Sequence, residues 1–544
     1  MAMTTMVQQL RKKLTDASAA LFEECRLQPP AVRVEVPADA KNGDYATNVA
    51  MQLAPVVKDS PMRIATKLKE HLGTVSGIDR IEIAAPGFLN FYISATWFQR
   101  QVVTIMREGK EYGQLSLGNG KRVLVEFVSA NPTGPIHVGN GRGAFTGDVL
   151  ASVLQKAGYK PLREFYVNDA GKQVDTLAES VIRRSFQLQG VNVDYPEELY
   201  QGEYVKELAK RLKLHQYKMK GSELRDRIKG RVLTLMIAEL QRVMEKKAGV
   251  AYDRWFRESE LYEKKMPEAA LALLREKGLL YESEGATWFK TTEFGDDKDR
   301  VVIKSDGTYT YIVPDVALRW DRFVKRKIDR EIIVLGADHH GYVSRLKAAV
   351  AALGYEGKLE AILVQLVRLM SNGEEVRMSK RAGTYVSLEE LIDDVGLDAA
   401  RFFFLMHAAN THMDFDLDLA KEKSDKNPVY YVQYAHARIC SIMKKTKGLP
   451  RKKGQALAEP SAIGLIKQLL RLPSLVEEVA RTYEVQKLPF YAVDLATAFH
   501  DFYGKVRVID EDVVDERRLA LVEATKTVLA TTLKLMGVSA PEKM

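Results

Sequence analysis

The sequence has 544 residues, of which 46% are hydrophobic and 28% are charged, and its formal net charge is +9. Because single cores stop growing at about 250–300 residues, this length predicts a multidomain protein, and the composition excludes extensive disorder. The longest apolar runs are too short to span a membrane, and two distant cysteines cannot build a disulfide framework, so a cytoplasmic protein is expected.

The first part of the chain, 1–115, is expected to be a small α+β domain. The predicted helices cover 7–24, 46–53 and 62–72, and the predicted strands cover 81–84 and 88–93. A polar stretch crowded with glycines, 109–120, follows these elements. We interpret this stretch as the domain boundary, because glycine and polar residues are typical of connections.

The middle of the chain, 116–410, alternates predicted strands and helices. The predicted strands are 123–128, 162–167, 332–335 and 361–369, and the predicted helices include one that ends at Gly158 and one over 342–353. The first of these strands is apolar apart from Glu126, which is typical of a strand buried on both faces of a parallel sheet. Two such β-α-β halves predict a doubly wound, Rossmann-like nucleotide-binding domain. A charged, mostly helical stretch at about 175–280 is expected to be an insertion in that domain.

The last section, 411–544, has helical patterning throughout and predicts an all-α bundle. Its basic segment Lys444–Gly454 has two interpretations, a solvated connection between helices or a contact with RNA. The overall prediction is a multidomain α/β protein. A small α+β domain precedes the doubly wound domain, and a helical bundle follows it.

One segment, EFVSANPTGPIHVGNGRG at Glu126–Gly143, joins a predicted strand to the N-terminus of a predicted helix. Unpaired amides and the helix dipole favour a phosphate at such a position. His137 can donate to phosphate oxygens, and Gly139 and Gly141 have no side chain to hinder the approach of a nucleotide. A lone histidine is usually structural, but its place at a strand-to-helix crevice favours nucleotide binding.

A second segment, VRMSKRAGTYV at Val376–Val386, follows the last predicted strand of the second half. It concentrates three cations, Arg377, Lys380 and Arg381. A cationic loop at the mouth of a nucleotide crevice can stabilise the charge that develops on a leaving polyphosphate. On this segment alone, a solvated basic turn is the competing interpretation.

Together the two segments resemble the paired HIGH and KMSKS signatures of class I aminoacyl-tRNA synthetases. Further segments resemble the arginyl-tRNA synthetases in particular, in that family's order and over nearly the whole chain: NGDYATNVAMQLA, SANPTGPIHVG, NDAGKQ, VPDVA, GADHHGYVSR, MDFDLDLA and NPVYYVQYAHARI. Two positions depart from the signatures, since Asn140 replaces the second histidine of HIGH and Arg377 replaces the first lysine of KMSK. Asparagine keeps a donor but has no cationic form, whereas arginine keeps the charge as a rigid fork.

The resemblance implies a ligase that works in two steps. Arginine reacts with Mg·ATP to give arginyl-adenylate and pyrophosphate, and arginine then passes to the terminal adenosine of tRNA-Arg. Bound tRNA is expected to be required for the first step. The implied catalytic residues are His137, Asn140 and Lys380, and the implied ATP-binding residues are His137, Gly139, Asn140, Gly336, Asp338, His339, Met378, Ser379 and Lys380. Asn168, Asp169 and Gln173 match another family motif.

Recognition of arginine requires carboxylates for its guanidinium, ideally in bidentate geometry. Glu126 interrupts an apolar strand, and a cationic ligand would relieve the cost of burying its charge. A lysine or arginine of the chain itself is the alternative partner. The resemblance adds Tyr311 and Asp315 as guanidinium ligands. It also implies that Ser129 and Asn131 orient the α-amino and carboxylate groups of the substrate.

The resemblance further implies a monomer whose partners are tRNA-Arg, L-arginine and ATP with Mg²⁺, and no membrane. The N-terminal domain would contact the corner of the tRNA, the catalytic domain its acceptor end, and the C-terminal bundle its anticodon. None of these contacts follows from periodicity or charge.

Four other functions compete with this one. A synthetase for cysteine needs zinc ligands that two distant cysteines cannot supply, and one for glutamate needs cations where Glu126 and Asp315 stand. A free-standing nucleotidylyltransferase does not account for the C-terminal bundle. A catalytically idle paralogue that only binds RNA does not account for the presence of both His137 and Lys380.

Overall fold

A computed structural model describes residues 6–23, 31–37, 39–213, 222–376, 387–454 and 457–544. Most of the second motif, residues 377–386, lies outside this part of the chain. Among the helices that the structure describes, none combines the length and the apolar character that a bilayer crossing needs.

The N-terminal unit combines helices with a small antiparallel sheet. Its elements are α1 (Met6–Glu23), β1 (Tyr45–Thr47), α2 (Val49–Val57), α3 (Pro61–Leu72), β2 (Ile78–Ala84), β3 (Phe88–Ile93) and α4 (Ala95–Glu108). The strand order is β1-β3-β2. The helix predicted to begin at Ala46 begins at Val49 instead, because Ala46 pairs with Asn90 in the sheet. The other two helices and both strands lie where the sequence predicted them, within a few residues.

The middle of the chain contains the predicted alternation in a longer series. Its elements are β4 (Arg122–Glu126), α5 (Val138–Lys156), β5 (Lys160–Val167), α6 (Lys172–Leu188), α7 (Glu203–Leu212), α8 (Ser222–Gln241), β6 (Arg254–Arg257), α9 (Ser259–Glu263), α10 (Met266–Glu276), β7 (Leu280–Ser283), β8 (Ala286–Phe289), β9 (Arg300–Ile303), α11 (Ile312–Arg319), β10 (Arg330–Gly336), α12 (Val343–Ala352), β11 (Leu359–Val364), β12 (Val367–Ser371), β13 (Glu374–Glu375), α13 (Leu388–Val395) and α14 (Leu397–Leu405). The helices cover a central sheet of five strands in the order β11-β10-β4-β5-β6.

All pairings in the central sheet are parallel, and β4 lies at its centre between β10 and β5. The chain builds the sheet outward from β4 through β5 and β6, and later adds β10 and β11 on the other side of β4. The carboxyl ends of β4 and β10 therefore flank a topological switch point, where doubly wound sheets bind their ligands. The predicted doubly wound fold is confirmed.

Two predicted segments of this domain differ from the structure. The single strand expected over 361–369 is two strands, because Gln365 leaves the sheet and donates its amide to the carbonyl of Ala409. The stretch expected to be a helical insertion contains β6, which pairs with β5 as the last strand of the sheet. Strand β6 buries only Phe256, so its sequence lacks the continuous apolar run of an inner strand.

A wide helical turn follows α11 and contributes to a group of buried arginines. Residues Trp320–Lys325 continue α11 as a π-helix, and the amide of Arg326 donates to the carbonyl of Asp321. Such turns are rare and occur frequently at functional sites. Arg319 and Arg322 are both buried here, with 2% and 0% of their surface exposed.

The C-terminal section is mainly helical. Its elements are β14 (Met413–Asp416), α15 (Leu417–Lys421), α16 (Pro428–Lys445), β15 (Arg451–Lys452), α17 (Pro460–Leu470), α18 (Leu472–Thr482), α19 (Lys487–Lys505), β16 (Ile509–Asp510), β17 (Val513–Asp515) and α20 (Glu516–Leu535). The predicted helical character of this section is confirmed, and the structure adds a small sheet of β15, β17 and β16 that the sequence analysis did not predict. Strand β15 lies in the basic segment, and both of its side chains are exposed.

The three sections share one continuous hydrophobic core. Helix α20 packs against α4, and α18 packs against α5. Arg401 is 1% exposed and joins three parts of the chain, since it binds Asp148 at 2.9 Å and the carbonyls of Ala248 and Met536 at 3.0 Å. The domain boundaries at 115 and 410 stay a prediction.

Candidate active site

The turn between β4 and α5 places His137 at the N-terminus of a buried helix. The Nδ1 atom of His137 accepts the amide of Gly139 at 3.0 Å, and the side-chain oxygen of Asn140 accepts the amide of His137 at 3.1 Å. This reciprocal arrangement is a capping box, and it fixes the imidazole where the helix dipole favours an anion. Because Nδ1 accepts a hydrogen bond, the neutral ring carries its proton on Nε2.

The capping box explains why an asparagine can stand at position 140. The third position of the helix needs a side-chain acceptor for the amide of His137, and the asparagine amide oxygen supplies one. The departure from the HIGH signature is therefore compatible with an ordered turn.

The two glycines of this turn differ in what surrounds them. A Cβ atom at Gly141 would lie 2.7 Å from Leu388 Cδ1 and 3.2 Å from Phe404 Cε2. Gly141 is therefore required for packing inside the domain, and the interpretation that it admits a nucleotide is corrected. A Cβ atom at Gly139 would meet only the ring of His137, at 3.3 Å from Nδ1.

Strand β4 ends in a strained turn that is held by a serine. Val128 and Ser129 have φ angles of +71° and +43°, which side chains rarely adopt, and valine least of all because it is β-branched. The Ser129 hydroxyl donates to Glu126 Oε1 at 2.9 Å and accepts the amide of Tyr166 at 3.1 Å. These two bonds join the carboxyl ends of β4 and β5 and fix the carboxylate of Glu126.

Glu126 has a cationic partner within the chain. Its side chain belongs to a residue that is only 5% exposed, and its Oε2 lies 2.6 Å from Nη2 of Arg322. Of the two partners that the sequence allowed, the structure shows the internal one. The physical reason is that a carboxylate removed from water is costly unless it is paired.

Asp315 lies in the first turn of α11, and its side chain is 16% exposed. The Tyr342 hydroxyl donates to its carboxylate, and Arg319 Nη1 lies 3.3 Å from its Oδ1. Burial raises the pKa of Asp315 above its ordinary value, Arg319 and Tyr342 oppose that rise, and the negative charge of Glu126 adds to it. The two carboxylates therefore share one electrostatic environment.

The two remaining residues implied for arginine binding lie in different segments, Asn131 after β4 and Tyr311 before α11. The Asn131 amide donates to Gln173 Oε1 at 2.7 Å, which brings two of the predicted motifs together. Tyr311 immediately precedes α11, and the residue is 91% exposed. Asp169 has a structural role, since its buried carboxylate accepts from Arg257 at 2.7 Å and from the amide of Ser259 at 2.9 Å.

The structure adds groups that the sequence analysis did not single out, namely Tyr166, Glu258 and Tyr342. Glu258 shares a hydrogen bond with Tyr166, and the amide of Asn168, in the orientation that satisfies both of its ends, donates to Glu258 Oε2 at 3.0 Å. Burial raises the pKa of Glu258, and the charges of Asp315 and Asp169 raise it further. Glu258 occurs in a charged stretch without any motif, so no local signal distinguishes it.

The loop after β10 borders the same crevice as the loop after β4, because the two strands are neighbours. Gly336 ends β10, and a Cβ atom there would lie 2.4 Å from Asp338 Oδ1. The side chains of Asp338 and His339 are 81% and 58% exposed. Both are therefore accessible from the crevice side of the sheet.

The residues that follow the second motif lie beside the first motif. Met378, Ser379 and Lys380 lie outside the described residues, but Ser387, which follows them, forms a β-bridge with His137. The amide of Leu388 donates to the carbonyl of Ile136 at 2.9 Å. Within the described ranges, no group of three or more His, Cys, Asp and Glu side chains is arranged to hold a metal ion.

Three protein-family models match successive parts of the chain. The model described as "Arginyl tRNA synthetase N terminal domain" matches residues 6–93. The model described as "tRNA synthetases class I (R), catalytic domain" matches residues 101–425, and that described as "DALR anticodon binding domain" matches residues 432–544.

Curated relatives match over the full length. The arginine–tRNA ligase of Bacillus subtilis (strain 168) is 45% identical over 540 residues, which cover 97% of this chain and 96% of that protein. The arginine–tRNA ligase of Syntrophotalea carbinolica is 44% identical over 563 residues, which cover 99% of this chain and 100% of that one. The solved structure of Thermus thermophilus arginyl-tRNA synthetase has a similar fold, with a TM-score of 0.74, 24% identity, and coverage of 98% of this chain and 100% of that one.

Proposed function

The chain belongs to the arginyl-tRNA synthetase family of class I ligases, and from this premise we propose how its residues activate arginine and charge tRNA-Arg. One observation carries the assignment of residues. A capped helix N-terminus suited to phosphate follows the carboxyl end of β4, where the buried carboxylate of Glu126 and the half-buried carboxylate of Asp315, each paired with an arginine of one helical run, suit a guanidinium.

ATP lies across the switch point between β4 and β10. The Nε2–H of His137 donates to its phosphates, and Gly139 and Asn140 complete the capped turn that presents the imidazole to them. Gly336, Asp338 and His339 bind the adenosine side, and Met378, Ser379 and Lys380 also bind ATP. Magnesium enters with the substrate as Mg·ATP.

Arginine lies with its guanidinium between Asp315 and Glu126. Each carboxylate already binds one arginine of the chain and has further lone pairs for the substrate. Ser129 and Asn131 orient the α-amino and carboxylate groups, and Tyr311 joins Asp315 in holding the guanidinium.

The reaction needs positioned groups and stabilised charge. A carboxylate oxygen of arginine bonds to the α-phosphorus of ATP, and the bond from that phosphorus to pyrophosphate breaks. His137 and Lys380 stabilise the negative charge that develops on the phosphates. The 2′-hydroxyl of the terminal adenosine then attacks the activated carbonyl, and AMP leaves with the electron pair of the broken bond.

The three sections divide the recognition of tRNA-Arg. Residues 1–115 contact its corner, the catalytic domain at 116–410 receives its acceptor end, and residues 411–544 read its anticodon. Within the stretch 175–280, the helices form the insertion in the catalytic domain, whereas β6 belongs to the central sheet. The enzyme acts as a cytoplasmic monomer.

The exchange of labelled pyrophosphate into ATP tests this function directly. We expect exchange that depends on arginine and on tRNA-Arg, and aminoacylation of tRNA-Arg by the full chain. Exchange with cysteine or glutamate, or without any amino acid, would favour the competing functions. An absence of exchange with all substrates present would contradict the proposal.

Replacement of Lys380 by alanine is expected to slow adenylate formation much more than it weakens arginine binding. The reason is that its charge is needed mainly while pyrophosphate leaves, which is an interaction of the transition state. Single-turnover rates and arginine titrations of the two proteins check this. An unchanged kcat with a raised KM for arginine would show that Lys380 has another role.

The raised pKa of Asp315 predicts that arginine recognition weakens at a higher pH than an ordinary aspartate would allow. Ionised Asp315 binds the guanidinium, so kcat/KM for arginine should fall as pH decreases through the raised pKa, at a higher pH than for an ordinary aspartate. The Tyr342 hydroxyl lowers that pKa, and Tyr342→Phe should therefore move the fall to still higher pH.

The pH profile of Tyr281→Phe is the matched control, because Tyr281 donates to Asp299 at 3.0 Å in a hairpin that contains none of the proposed site residues. The kcat/KM of this variant for arginine should depend on pH in the same way as that of the parent. If Tyr342→Phe also follows the parent, Tyr342 does not act on the carboxylate that binds arginine.

A further inference from the structure

Behind the proposed arginine pocket, a chain of alternating charges links its two carboxylates. Asp315 lies 3.3 Å from Arg319, and Arg319 lies 3.1 Å from Glu331. Glu331 lies 2.5 Å from Arg322, and Arg322 lies 2.6 Å from Glu126. Both arginines contact the same oxygen, Oε1, of Glu331. The two pocket carboxylates are thus joined through one buried glutamate.

Glu331 is inaccessible to any substrate. It lies near the start of β10 and is 0% exposed, as is Arg322. Burial of a charge at this depth is costly, and apolar residues of similar size commonly serve stability as well or better. A buried ionic chain that ends at two pocket carboxylates therefore calls for a reason beyond stability.

The two pocket carboxylates stand on separate elements. Asp315 belongs to α11, whereas Glu126 belongs to β4. A guanidinium presents its N–H groups in a rigid fork, so the positions of its two carboxylate partners must match it closely. Arg319 and Arg322 come from one helical run, and Glu331 anchors both to the strand beside β4. The bridge therefore fixes the helix that carries Asp315 against the strand that carries Glu126.

The same cluster is also negative as a whole. Among the described residues, its ion-paired carboxylates are Asp315, Asp321, Glu126, Glu164 and Glu331, and its arginines are Arg319, Arg322 and Arg326. Five carboxylates against three arginines leave two negative charges in excess. An entering guanidinium offsets one of them, so the cluster favours a cationic side chain in the pocket.

We propose that Glu331 is a positioning residue for arginine recognition, which acts through Arg319 and Arg322 on Asp315 and Glu126 without touching the substrate. This inference rests on the proposed function of those two carboxylates. It assigns a specificity role to a residue at the opposite end of its strand from the ATP loop.

The variant Glu331→Gln tests the proposal because it keeps the shape and removes the charge. We expect kcat/KM for arginine to fall about 10- to 100-fold, mainly through KM, since small misplacements of binding groups have effects of this size. The KM for ATP should stay near that of the parent. An unchanged KM for arginine would overturn the proposal.

A double variant separates a role in the pocket from a role in stability alone. If Glu331 acts through the pocket carboxylates, adding Glu331→Gln to Asp315→Asn should cost much less than it does in the parent. Fully additive losses would overturn the proposal.

The variant Arg319→Lys provides a second test in case Glu331→Gln does not fold, because lysine keeps the charge but cannot bind Asp315 and Glu331 at the same time through a planar fork. It should raise the KM for arginine in the same way, and a parental KM would count against the inference.

Asp148→Asn is the matched control. Asp148 is also a carboxylate shared by two arginines, Arg163 at 3.0 Å and Arg401 at 2.9 Å, although its side chain is 13% exposed. It stands on α5 about 16 Å along the helix axis from His137. Its variant should keep the parental KM for arginine, and an equal rise in KM would reduce the Glu331 effect to general destabilisation.

The outcomes also separate this inference from the function on which it rests. If Asp315→Asn and Glu126→Gln leave arginine recognition intact, the proposed pocket is wrong. If those two variants lose recognition while Glu331→Gln and Arg319→Lys retain it, only the positioning role is wrong.

Discussion

Replacing His137 with alanine is expected to slow arginyl-adenylate formation about 10²–10³-fold, the usual loss when one preorganised donor to a developing charge is removed. The affinity for tRNA should change little, because the residue lies at the phosphate end of the crevice. The imidazole is held by the capping box, with Nδ1 occupied by the amide of Gly139. Its Nε2–H is then the donor that serves the polyphosphate.

The same substitution also removes a helix cap, which typically costs about 1 kcal/mol of stability. His137→Asn separates the two effects, because asparagine is an excellent N-cap but does not place a donor where Nε2 lies. We expect His137→Asn to recover stability and to remain slow. Single-turnover adenylation and thermal unfolding of both variants check this. A rate of His137→Ala close to that of the parent would remove His137 from the catalytic residues.

The central sheet was predictable because its inner strands have a local signal. Strands β4 and β10 are buried on both faces, and their apolar runs show this directly in the sequence. Strand β6 could not be recognised, since it lies at the edge of the sheet and buries one residue of four. The break at Gln365 depends on a carbonyl from a distant turn, and the sequence carries no local sign of it.

The candidate site divides in the same way. The loop with Ser129, His137 and Asn140 is contiguous, so its motif could be recognised as a unit. The partner of Glu126 could not be named, because Arg322 comes from a π-helical turn far along the chain. For Gly141 the motif itself misled, because its position suggested contact with a ligand, whereas side chains of the two neighbouring helices α13 and α14 explain it. Pairings made only by the tertiary fold remain invisible in one sequence.

Asp315→Asn and Glu126→Gln should each damage arginine recognition and leave ATP binding nearly intact. A guanidinium that loses its carboxylate partner in a site without water loses a charge-assisted contact. Breaking such a buried pair costs about 3–5 kcal/mol, which corresponds to several hundredfold or more in kcat/KM for arginine. The internal arginines keep other partners, because Arg319 retains Glu331, and Arg322 retains Glu331 and Glu164. Both variants should therefore fold.

Citrulline provides a second test of the same pocket, in which the ligand is changed and not the protein. It keeps the shape of arginine and loses the charge. The parent should reject citrulline strongly, as sites with desolvated polar groups reject an analogue that leaves one of them unpaired. Each variant should show a smaller difference between the two amino acids, since it has lost a group that distinguishes the charge. The measurement is ATP–pyrophosphate exchange with both amino acids at saturating ATP and tRNA. If both variants keep the parental kcat/KM for arginine and the parental preference over citrulline, then Asp315 and Glu126 do not form the specificity pocket, and their burial beside Arg319 and Arg322 serves the fold alone.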